Sequence, residues 1–209
     1  MAVAALGQTP PRASITAAGE ATVSANPDQA AISVSVTNTA ATAIDASNQN
    51  AAQTSAVIAA LRGVMAGSDV LKTVSYSLFP TYNNAGTLTG YTATNTIQVT
   101  TGDLASTGKL IDTAVQGGAS RVQSLSFGLK DSQPLRAQAL KLAAGQARSQ
   151  VEAIAAGLGV KLGMVIAASD GNTVSPVVTG GAGVASVTPI VTGAVQVTAS
   201  VRLQVEVVQ

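Results

Sequence analysis

From Ala194 to Val208 apolar and polar residues alternate one for one, with Val195, Val197, Ala199, Val201, Leu203 and Val205 separated by polar neighbours. Successive side chains of a strand point to opposite faces, so this pattern belongs to a half-buried β-strand and to no helix. A long strand needs partners, and the same alternation recurs upstream. Ile15 and Ala17, then Ile32, Val34 and Val36, read as two antiparallel strands joined through Asn26-Pro27-Asp28, a strong turn signal. Val70 to Pro80 and Tyr91 to Thr101 read as a second pair, whose tip, Asn83-Asn84-Ala85-Gly86, projects from the body. Further strands are expected at Val122 to Leu129 and at Lys161 to Ser169.

Between these strands the period changes. Thr42 to Met65 places Ile44, Ala51, Ile58, Leu61 and Met65 on one helical face, with Gly67 as the stop. Asp103 caps a short helix through Leu104, Leu110, Ile111 and Val115 that closes at Gly117-Gly118. Asp131-Ser132-Gln133-Pro134 opens a long helix running to about Gly157, with a buried stripe of Leu135, Ala139, Leu142, Val151, Ile154 and Leu158. The expected fold is therefore α+β: antiparallel sheets packed with one long and two shorter helices. Apolar residues are 46% of the chain, enough for a core, but Ala and Val dominate and Trp is absent, so layers pack thin and close.

Charged residues make up 10% of the chain, well under the usual share of about a quarter. Thr, Ser, Asn, Gln and Ala must cover the surface, as in proteins that self-associate or work outside the cytoplasm. The net charge is +1 and there is no basic run or aromatic platform, which argues against nucleic acid as a partner. No stretch has the length and apolar character of a membrane-spanning helix. Residues 1–13 read as a tail or the remnant of a signal peptide, since Ala5-Leu6-Gly7 has the small-x-small form of a cleavage site.

Cys and His are both absent. That removes thiolate and imidazole nucleophiles, bases and metal ligands together. The carboxylates are scattered, Asp28, Asp69, Asp131 and Asp170 at turns and Glu206 on the last strand, with no pairing suited to acid–base work. Gly108-Lys109 lacks the surroundings of a phosphate loop, and Gly180-Gly181-Ala182-Gly183 precedes no helix. No catalytic, cofactor or metal residues are assigned, and the chain is expected not to be an enzyme. Asp28 and Glu20 are read as structural, the former satisfying turn amides.

Two places carry side chains suited to contact. Tyr76, Phe79, Tyr82 and Tyr91 gather nearly all the aromatics in one hairpin, fitting either an interface or a small core cluster. No residue between Asp170 and Arg202 is charged. The Val, Gly and Pro-rich part of that stretch, residues 171–193, is expected to be a loop, because Pro176 and Pro189 disfavour central strands. Its Val177, Val178, Val184, Val187 and Ile190 would bury against a neighbouring subunit, against the same domain or on a membrane surface.

Gly19-Glu20, Val23 and Pro27-Asp28 match a G-E-x-x-V-x-x-x-P-D opening that resembles the SIMPL domain family. Tyr76-Ser77-Leu78-Phe79-Pro80-Thr81-Tyr82 with Gly90-Tyr91 looks like its middle hairpin. Ala139 to Ala143, Ala147-Arg148 and Leu158 to Gly163 resemble its long helix and exit strand. The resemblance runs from Ile15 to Val208 and implies a single domain over residues 14–209, a periplasmic or envelope location, a link to oxidative-stress defence and ring-like homo-oligomers. It implies no shared enzymatic activity. The expected function is an exported, non-catalytic envelope protein that self-assembles and acts indirectly in envelope or oxidative-stress defence. The alternative is a periplasmic module binding a small molecule or peptide of unknown identity.

Overall fold

The computed structural model describes residues 12–171, 177–179 and 192–208. The strands are β1 (Ser14–Ala25), β2 (Gln29–Ala40), β3 (Val70–Tyr82), β4 (Leu88–Thr101), β5 (Arg121–Gly128), β6 (Lys161–Asp170), β7 (Val177–Thr179) and β8 (Ala194–Val208). The helices are α1 (Ala43–Arg62), α2 (Thr107–Gln116) and α3 (Gln133–Leu158), with a 3-10 turn at Leu104–Ser106 before α2. The fold is α+β with antiparallel sheets and one long helix, as the sequence patterns require. The chain divides into two compact units, one from Met1–Ala25, Asp131–Val177 and Gln196–Gln209, the other from Asn26–Lys130 and Val178–Val195.

One sheet has the strand order β3-β4-β2-β5. Its ladder runs Ile32↔Val99, Val34↔Ile97 and Val36↔Asn95 between β2 and β4, and Ile32↔Leu125 between β2 and β5. Alternation then sends Ile32, Val34, Val36, Ile97 and Val99 to one face, where they meet Val57 and Leu61 of α1 and Leu110, Ile111 and Ala114 of α2. The opposite face of this sheet is polar. Ser35 Oγ lies 2.9 Å from Thr96 Oγ1, Thr37 Oγ1 lies 3.2 Å from Thr94 Oγ1, and Thr39 Oγ1 lies 3.0 Å from Thr92 Oγ1, so hydroxyls pair rung by rung.

The other sheet has the order β1-β8-β6, and β7 pairs with β8. A short strand thus occurs within the stretch expected to be loop, where Val177-Val178-Thr179 supplies a β-branched run. The β1–β8 pair is antiparallel: Val207 donates its amide to Ala13 O at 2.8 Å, and Thr22 Oγ1 lies 2.7 Å from Thr198 Oγ1. β1 and β2 are both strands, but they do not pair with each other. Asn26-Pro27-Asp28 passes the chain from one sheet to the other instead of closing a hairpin.

α3 packs chiefly on β1. Its buried face is Ala139, Ala143, Ala147, Val151 and Ala155, whereas Leu142, Ile154 and Leu158 of the expected stripe are exposed. The reason is close approach. A Cβ on Gly19 of β1 would overlap Ala143 O, Ala147 N and Gln146 Cβ of α3, so strand and helix meet backbone to backbone there, and the helix presents alanine at 143 and 147. Gln146 Oε1 accepts the amide of Glu20 at 3.3 Å beside that contact.

α1 departs in the same sense. Its buried residues are Ala46, Asn50, Thr54, Val57 and Leu61, and Ile44 of the expected face is exposed. The helix ends at the Gly63 cap, earlier than the expected Gly67. Thr42 caps its start, accepting from Asp45 N at 3.2 Å and donating to Asp45 Oδ2 at 2.6 Å. Asp103 accepts from Ala105 N at 3.1 Å and caps the 3-10 turn as expected, while α3 ends on Gly159 at a left-handed φ of 68°.

Candidate interaction surface

β2 pairs with β4 only as far as Ala40↔Tyr91, whereas the β3–β4 ladder continues to Tyr82↔Leu88. The outer part of that hairpin is therefore a two-stranded arm beyond the sheet. Gly90 marks its root, because a Cβ there would lie 2.6 Å from Ala40 O. Asn83 builds the tip: its Oδ1 accepts from Ala85 N at 3.0 Å and from Thr87 N at 2.9 Å, and Gly86 takes the left-handed φ of 77°.

The register separates the aromatics that the sequence gathers. Tyr76 and Tyr91 lie on the face that carries the helices, and Tyr76 donates its hydroxyl hydrogen to Ser47 Oγ of α1 at 3.1 Å. Phe79, opposite Thr92, lies on the hydroxyl-lined face and is 65% exposed; Tyr82, opposite Leu88 on the arm, is 59% exposed. From Thr73 to Gly102 no residue is charged, so the arm offers Tyr82 and Leu88, and the sheet at its root offers Phe79, without a charge to keep a partner off. Val70 and Val74 of β3 are exposed apolar residues too. Of the other contact candidates, Val177 and Val178 lie in β7, and Val184, Val187 and Ile190 lie outside the described residues.

Sequence reasoning did not single out a second exposed apolar group, Met164, Val165 and Ile166 on β6. β6 is an edge strand whose register against β8 shifts twice around Val165, and edge position has no signature in sequence. A groove of about 140 Å³ runs beside it, with Val151, Leu162, Val165 and Leu203 along its walls and the Arg148–Glu152 pair, 2.9 Å apart, at its lip.

A second cleft, of about 230 Å³, lies between Asp28, Ser68, Thr101 and Lys130. Asp28 is engaged there, its Oδ1 accepting the Lys130 amide at 2.7 Å, while its own amide donates to Gly128 O at 3.0 Å. The carboxylate does satisfy a backbone amide, but a distant one in place of the local turn. Among the described residues no group of three or more Asp and Glu side chains is placed to hold a metal ion. Neither is any described helix long and apolar enough to cross a membrane.

The chain is 28% identical over 166 residues to the 26 kDa periplasmic immunogenic protein of Brucella melitensis biotype 1, covering 76% of this chain and 66% of that protein. The protein of the same name in Brucella abortus strain S19 matches to the same extent. The uncharacterized protein YggE of Edwardsiella ictaluri is 36% identical over 78 residues, 37% of this chain and 33% of that protein. This chain therefore spans a little under two thirds of the Brucella proteins' length. The model of the SIMPL family, described as a protein of unknown function (DUF541), matches residues 15–205, and the chain belongs to that family.

Proposed function

We propose that this is an exported, non-catalytic protein of the cell envelope that assembles with copies of itself, using the β3–β4 arm as a contact. The observation that carries the reading is the arm itself: uncharged, extended beyond its sheet, carrying exposed Tyr82 and Leu88, with exposed Phe79 on the sheet at its root. Aromatic side chains give large contact area for little conformational entropy, and a charge-free surround removes the desolvation cost of covering them. An arm seated on a different surface of the next copy makes a head-to-tail interface, which closes into a ring when the rotation allows. The name of the Brucella relatives supports the periplasm as the compartment. With neither Cys nor His in the chain, a part in envelope or oxidative-stress defence would be indirect.

Light scattering on the purified chain tests this reading. The expected result is a mass several times that of one chain, falling on dilution. A single-chain mass across a wide concentration range overturns it. The cleft at Asp28 and Lys130 is the seat of the second reading, a small-molecule or peptide-binding module, for which the expected mark is a thermal shift with one member of a metabolite panel.

A further inference from the structure

We propose that one internal water molecule is bound beneath α1, held by Asn50, Thr54 and Asn95. Asn50 is 0% exposed, and Thr54, one helical turn later on the same buried face, is 5% exposed. Asn50 Nδ2 donates to Val36 O at 2.8 Å, to Ala93 O at 3.2 Å and to Asn38 Oδ1 at 3.2 Å. These bonds fix which end of its carboxamide is nitrogen, since two of the partners are backbone carbonyls. Its Oδ1 is left with no partner among the described residues, and Thr54 Oγ1 and Asn95 Oδ1 share that condition.

The register sets the residue carrying the third atom beneath the same turns of α1. Asn95 stands opposite Val36 on one side and opposite Tyr76 on the other. Asn50 touches Val36 O, and Tyr76 reaches Ser47 of α1, so Asn95 lies on the strand face directly under that stretch of the helix. Around it the other amides are matched: Asn38 Nδ2 donates to Gln53 Oε1, and Gln53 Nε2 donates to Gly118 O, each at 2.7 Å. The unmatched atoms are two carboxamide oxygens, which only accept, and one hydroxyl, which can donate. A water molecule is the complement of that set. It donates one hydrogen to each oxygen and accepts from the hydroxyl, three bonds being the usual number for a buried water. A cation would meet neutral amides with no counter-charge, and burying it would cost far more.

Two measurements on the full chain test the site. A high-resolution crystal structure is expected to show one ordered water within hydrogen-bond distance of Asn50 Oδ1, Thr54 Oγ1 and Asn95 Oδ1. An empty site, or an Asn95 amide nitrogen donating straight to Asn50 Oδ1, overturns the proposal. Thr54→Val keeps the shape and nearly the helix propensity while deleting the hydroxyl. If the hydroxyl binds water, the melting temperature falls. If the hydroxyl is merely stranded, its removal leaves the melting temperature equal or higher, and the proposal fails.

Discussion

The carboxylate of Asp28 accepts a hydrogen bond from the backbone amide of Lys130 at 2.7 Å, across 102 residues of sequence. The bond continues the β2–β5 ladder one step beyond its last rung, Gln29↔Gly128, with a side chain in place of a carbonyl. Asp28→Ala is expected to lower stability by about 1 kcal/mol, at the modest end for a charge-assisted bond because the site is open to water. Asp28→Asn, which keeps an acceptor, should lose less. Urea unfolding measures both, and equal midpoints for parent and Ala variant would show that the bond contributes nothing.

Glycines give a paired test on the β1–α3 seam. Gly19→Ala forces a methyl group into the α3 backbone and should cost roughly 3 kcal/mol or prevent folding, the upper range for overpacking. Gly145→Ala, in the interior of the same helix and facing open space, should stabilise by about 0.5–1 kcal/mol. Thermal melts that rank the two the other way would refute the seam.

The exposed leucine and buried alanine of α3 make a second contrast. Ala147→Leu should cost about 1–3 kcal/mol by overfilling, whereas Leu142→Gln should stay within about 0.5 kcal/mol of the parent. A large loss at Leu142 would put the helix on its other face.

Gln53 joins Asn38 to Gly118 through two bonds of 2.7 Å. Gln53→Ala strands the amide of Asn38 and the carbonyl of Gly118 and is expected to cost about 2 kcal/mol, since unmatched polar groups are penalised more than matched ones are rewarded. Chemical denaturation of the variant, beside Gln49→Ala on the exposed face, isolates the effect from helix propensity.

On the arm and at its root, Tyr82→Ser combined with Phe79→Ser should leave the melting temperature of the isolated chain nearly unchanged, because both side chains are exposed. The association constant should fall by about tenfold or more if either side chain is buried at the contact, equivalent to about 1.4 kcal/mol or more. Sedimentation velocity reads both species at once, and an unaltered distribution would take the contact away from the arm.

Element type was readable where period was unambiguous, as in β8, and where a cap was written out, as at Asp103 and Gly117. Burial was not. On α1 and α3 a reading by apolar weight favours Ile44, Leu142 and Leu158, yet the structure buries Ala46, Asn50, Ala143 and Ala147. On α3 what decides is how close the opposing backbone comes, and Gly19 sets that from more than a hundred residues away. Likewise Asn26-Pro27-Asp28 announces a change of direction with the same residues whether the next strand pairs beside the last one or joins another sheet. The aromatic hairpin was visible as a cluster, but only the register against Asn95 and Thr92 assigns Tyr76 to the helix face and Phe79 to the opposite one.

The Gly19 contact leaves this protein a one-way tolerance. Elsewhere in a core, a lost carbon can be regained by a neighbour and an added one absorbed by a rotamer. Where Gly19 meets the backbone of Ala143 and Ala147, the clashing atoms are main chain and have no rotamer to turn aside. Sequence drift along that seam has a floor and no slack above it, so the seam should be the first place where relaxed selection shows as loss of the fold and the last where it shows as harmless variety.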